Sequence, residues 1–100
     1  MNDPILMAEK LEQLAYLARD AESEYEKAAV FAAAIAIASA FEADEESFSD
    51  YALENVERAR RSISAAVGYD ITNGHDRTQH VVFALGAAGN LKSVLEQAKR

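Results

Sequence analysis

Between Ile5 and Val67 the chain carries neither glycine nor proline. These are the two residues that interrupt a helix most strongly, so an alanine-rich stretch of this length without them reads as helical. Inside it, the block from Ala28 to Phe41 has Ser39 as its only polar residue. A helix that is apolar on every side has to be covered on every side, by its own chain or by another.

Helix boundaries follow from capping chemistry. Asp3-Pro4 predicts a start, with Asp as the cap and Pro at the first helical position, where its missing N–H is not needed. Ser23-Glu24-Tyr25-Glu26 has the pattern of a capping box just ahead of the apolar block. Against a break there, Met7, Leu11, Leu14, Ala18, Ala21, Tyr25, Ala28, Ala32, Ile35 and Ser39 keep a continuous 3–4 spacing. That seam is also compatible with one helix of about 37 residues. The capping box and ordinary helix lengths favour two helices. Ser49 caps a third, with Phe48 and Leu53 placed to form a hydrophobic staple, and Gly68 stops it. Asn73-Gly74 marks a turn in the following loop, and Asp76 with Gln79 forms a second box ahead of the last helix.

The expected fold is therefore all-α: a single domain over residues 1–100, built as a compact antiparallel bundle of three to four helices at about 4–22, 24–43, 50–67 and 77–98. Ala52, Val56, Ala59, Ile63 and Ala66 form the inward stripe of the third helix. Val81, Leu85, Ala88, Leu95 and Ala98 do so on the fourth. Lys99 and Arg100 suit the negative end of its dipole. Gly86 and Gly89 lie inside that last helix. A close approach by a neighbouring backbone is the preferred reason, and an interruption at Gly89-Asn90 is the other.

The chain has no cysteine, which excludes disulfides, thiolate metal sites and thiol catalysis. No secretory leader is legible at the start, and the apolar block is too short and too alanine-rich to cross a bilayer, so a cytoplasmic protein is expected. The net charge of −7 is unevenly spread. Residues 1–57 hold fourteen carboxylates against three basic side chains, or −11, whereas residues 58–100 hold seven basic residues against three carboxylates, or +4.

Chemistry is sparse. His75 and His80, near Asp70 and Asp76, are the residues that could ligate a metal, but the Glu-x-x-His spacing of di-iron bundles is missing. No metal site or cofactor is assigned, and a metal-dependent enzyme is the weakest reading. There is no nucleophile elbow, phosphate-binding loop or paired-carboxylate pocket. Arg58-Ala59-Arg60-Arg61 is the one basic cluster. Glu54 and Glu57 precede Arg58 and Arg61 by four, the favourable order for helical ion pairs, so direct nucleic-acid binding is not expected.

What remains is a non-catalytic, acidic protein–protein interaction module. Val30, Ala34, Ile37 and Phe41 are the expected self-association row of a homodimer, because the apolar helix has nothing polar to turn to water. Glu42, Asp44, Glu45, Glu46, Phe48 and Asp50 are the candidate contact residues for another protein. The alternative reading uses this same surface as an acidic decoy. It would occupy a basic nucleic-acid-binding groove on a target complex, by analogy in size and charge with the inhibitors mobile elements direct against host defences.

Overall fold

Each helix begins where a short polar side chain takes up backbone N–H groups that a first turn leaves unpaired. Asp3 accepts from Leu6 N at 3.1 Å, and Ser49 Oγ accepts from Ala52 N at 3.1 Å. Ser23 with Glu26, and Asp76 with Gln79, each form the full reciprocal box. The computed structural model describes residues 3–99. It consists of α1 (Pro4–Asp20), α2 (Glu24–Ala43), α3 (Asp50–Ala66) and α4 (Arg77–Ala98), with a 3-10 turn at Glu45–Ser47. The fold is a small four-helix bundle. Among the described residues no helix is long and apolar enough to cross a membrane. Arg100, expected to complement the last helix's dipole, lies outside the described residues.

α3 ends as the sequence requires. Gly68, at φ +91°, sends its N–H to Ala65 O, and Tyr69 N reaches back to Ser64 O at 2.8 Å. These two bonds form a Schellman motif, which needs the left-handed residue that glycine supplies without strain. Asn73 and Gly74 both have positive φ, making the expected turn in the α3–α4 loop.

Contacts across the bundle give its directions. Arg77, at the start of α4, touches the end of α1, while Lys92 and Glu9 meet 3.6 Å apart toward the opposite ends of those helices. Asn55, early in α3, meets Asn90, late in α4. Phe31, early in α2, stacks on Tyr69 just beyond α3 at 4.5 Å. Neighbouring helices are therefore antiparallel. α4 packs on α1 and α3, α2 packs on the same two from the other side, and α1 meets α3 across the middle.

Leu11, Phe41, Ile63 and Leu91 are completely enclosed at the centre. Each such side chain withdrawn from water contributes about 1.5–3 kcal/mol. Around them the helices meet through alanines, including Ala15, Ala18, Ala59 and Ala84, whose small side chains let helix axes approach. The α3 stripe predicted from the sequence is buried throughout. On α4 Val81, Ala88 and Leu95 are buried and Leu85 partly so, but Ala98 is exposed.

The favoured two-helix reading holds, and one alternative and one expectation are corrected. The heptad seam does not continue past Ala21, because Ala21 turns extended and the short link to Ser23 re-phases the next helix. Tyr25, on the projected seam, is 85% exposed, and α2 instead buries Val30, Ala34, Ala38 and Phe41. The second correction concerns Gly86 and Gly89. α4 is continuous through both, and a Cβ at either would meet no atom within 4 Å. Neither a break nor a close neighbour accounts for them.

Candidate binding groove

The principal concavity runs along the seam between α3 and α4 and has a volume of about 620 Å³. Asn55, Arg58, Arg61, Ser62 and Ala65 line it from α3. Val82, Phe83, Gly86, Ala87 and Asn90 line it from α4, and the loop supplies Asp70, Ile71, Asn73 and His75. The α3 residues recur every three or four positions, which is what places them on one face. At the far end the Asn90 side-chain N–H₂ points to Asn55 Oδ1 at 3.4 Å, and Asn55 donates to Tyr51 O at 2.9 Å. Asn55 is almost wholly buried, so this amide pair closes the groove with polar groups that are themselves bonded.

The loop end is pinned by His80. Its Nε2 lies 2.9 Å from Thr72 O. A carbonyl only accepts, so Nε2 is the donor in this bond. Nδ1 is buried without a hydrogen-bond partner. The rings of His75, His80 and Phe83 meet edge to face, with centroids 5.0–5.9 Å apart. His80 is thus a bonded, buried anchor of the loop. Among the described residues no group of three His, Asp or Glu is placed to hold a metal.

The arginine pairing differs from expectation. Arg58 does bind Glu54, at 2.8 Å. Glu57, however, is taken by Arg60, whose Nε and Nη2 both reach its carboxylate. This bidentate contact pushes the Arg60 pKa up and the Glu57 pKa down. Arg61 is left exposed on the groove side, with no hydrogen bond or ion pair among the described residues. The acid that shares the groove, Asp70, turns Oδ1 to its neighbour Ile71 N at 2.7 Å. In a chain of net charge −7, this groove carries a local excess of positive charge.

Gly86 lies in the α4 wall. Glycine in a helix interior costs about 1 kcal/mol relative to alanine, and among the described residues nothing beyond α4's own backbone comes within 4 Å of the place a Cβ would take. Its effect is to leave α4's backbone open to whatever enters. Across from the arginines, Val82 and Phe83 are 59% and 45% exposed. The groove thus pairs a cationic rim with an apolar one.

The contact residues expected from the sequence lie elsewhere, at the α2–α3 corner. Glu42, Glu45, Glu46 and Asp50 are exposed there. Asp44 is half-buried and accepts from Ser47 Oγ at 2.9 Å, which pulls its carboxyl below the ordinary range. Phe48 is half-buried and packs its ring on Phe41 at 5.0 Å. An acidic decoy surface here would have to rest on the exposed carboxylates without Phe48. The self-association row is also corrected: Val30, Ala34 and Phe41 lie in the chain's own core, and Ile37 is only partly exposed. α2 turns outward a different row, Ala29, Ala32, Ala36, Ala40 and Ala43. Residues Asn55, Arg61, Gly86 and Asn90 were not singled out from the sequence as a site. The available signals were the amides on or beside inward stripes and a glycine within an otherwise good helix.

No family model matches the chain, and neither a curated protein nor a solved structure is significantly similar to it.

Proposed function

We propose that this chain is a non-catalytic protein–protein interaction module whose partner surface is the α3–α4 groove. The observation that carries this reading is Arg61, a cation with no hydrogen-bonded partner among the described residues, on the wall opposite exposed Val82 and Phe83 and the open Gly86. Such a lining combines apolar area for affinity with a charge for orientation. The test is affinity capture from the native host with wild type and Gly86→Leu side by side. The leucine fills the groove from a position with free space around its Cβ. A protein retained by wild type and lost on the variant supports the reading; equal recovery of every captured protein contradicts it.

A second copy of the chain has its own surface. α2 exposes Ala29, Ala32, Ala36 and Ala40 with no charged residue between Ala28 and Phe41, which favours self-association through this outer face. Ala36→Glu then yields a folded monomer by sedimentation equilibrium. Unchanged self-association of that variant would remove α2 from the interface.

A further inference from the structure

The chemistry of the groove's occupant can be read from its walls, on the assumption that the groove is the partner surface. We propose that it takes an amphipathic helix of another protein, with glutamate or aspartate along one edge and aliphatic side chains on the next.

Charge sets the first half. Arg58 and Arg61 are three residues apart and share one face of α3; Arg58 is paired with Glu54, and among the described residues no carboxylate is bonded to Arg61. A partner carboxylate reaches Arg61 without displacing an existing pair. Apolar contact sets the second half. Val82 and the part of Phe83 not covered by the His75 and His80 rings are exposed on α4, and Gly86 beside them lets an aliphatic side chain come down onto the α4 backbone.

Backbone chemistry decides for a helix over an extended segment. Away from the loop end, the two long walls are helices whose central N–H and C=O groups are already bonded within the helix. An extended peptide would find no ladder there, and its own backbone groups would lose water without gaining partners. A helix satisfies its own. The lined stretches, Asn55 to Ala65 and Val82 to Asn90, are long enough for two to three turns at about 1.5 Å per residue.

The experiment uses fluorescein-labelled synthetic peptides of about four helical turns. One carries leucines at i, i+3, i+4 and i+7 flanked by glutamates, and its counterpart has every glutamate replaced by glutamine. Anisotropy is followed on adding the full-length protein. The glutamate peptide should bind saturably and at least about tenfold tighter than the glutamine peptide, even though the protein's net negative charge opposes it. Arg61→Glu should weaken it by about tenfold or more, Arg61→Lys should retain most of the binding, and Gly86→Leu should abolish it. Amide NMR spectra of each variant establish that the fold is kept. No saturable binding, equal binding of the glutamine peptide, or indifference to Arg61→Glu overturns the inference. If host capture still depends on Gly86 while the peptides fail, the groove serves a partner of other chemistry. If capture ignores Gly86→Leu, the functional reading fails as well.

Discussion

Glu57 binds Arg60, three residues along α3, and leaves Arg61 without a bonded carboxylate among the described residues. Both arginines lie about a turn from Glu57, so the choice decides whether the groove-facing Arg61 is left unbonded. Arg60 is the less exposed, with 20% of its side-chain surface accessible, and its two N–H groups match the two carboxylate oxygens. Replacing Arg60 with alanine should therefore lower stability by up to about 1 kcal/mol, the scale of partly exposed ion pairs. Arg61→Ala should stay within about 0.5 kcal/mol of wild type. Urea midpoints of the two variants test this, and a larger loss at Arg61 would mean that it is engaged within the fold.

Arg77 ties the ends of two helices. Its Nη1 donates to Ala21 O at 2.6 Å and approaches Arg19 O at 3.4 Å, serving carbonyls that the end of α1 leaves without helical partners. Arg77→Ala should cost about 1.5–3 kcal/mol, as expected for a hydrogen bond to a charged donor at a partly buried site. Urea denaturation gives the magnitude. Faster amide exchange at the Ala21–Ser23 link would show that the loss is local to the joint between α1 and α2.

Gly86 separates two accounts of a helical glycine. With no atom within 4 Å of a Cβ, Gly86→Ala should stabilise the protein by about 1 kcal/mol, because it removes the propensity penalty and meets nothing. A glycine retained for close packing would instead make the substitution destabilising. The sign of the change in melting temperature is the readout.

Acid should weaken the fold in a defined window. Arg19 lowers the Asp20 pKa, the Ser23 N–H lowers that of Glu26, Ser47 lowers that of Asp44, and Arg60 lowers that of Glu57. For a carboxyl whose pKa is lower in the folded state, the associated stability is complete above the ordinary value. It is lost as pH falls through the folded value. The ordinary values here are 3.8 for aspartate and 4.5 for glutamate. Urea midpoints should fall steadily below about pH 4.5. Glu26→Gln keeps an acceptor for the Ser23 N–H but removes the charge, and should flatten part of that slope.

Much of the fold was legible because it depends on local chemistry. Asp3, Ser23, Ser49 and Asp76 each cap a helix using atoms within three residues, so the starts could be read directly. The α3 stripe was legible because polar and apolar residues alternate clearly along it. α2 was the opposite case. It is apolar all round, so periodicity cannot orient it, and the packing of α1 and α3 selects Val30, Ala34, Ala38 and Phe41 as its inner face. The Arg77–Ala21 bond spans 56 residues of sequence, and the choice between Arg60 and Arg61 depends on which arginine lies closer to the neighbouring structure. The groove escaped the sequence because its decisive feature at Gly86 is empty space, which only the assembled helices define.

The α3–α4 groove, and not another face of the bundle, is the proposed partner surface. Site-specific photocrosslinking in the native host tests it most directly, with a benzophenone side chain placed at Val82 on the groove or at Gln13 on the exposed side of α1. A discrete adduct with another protein should form at position 82 and be diminished by Arg61→Glu, and none should form at position 13. Adducts absent at 82, or formed there and at 13 alike, would contradict it.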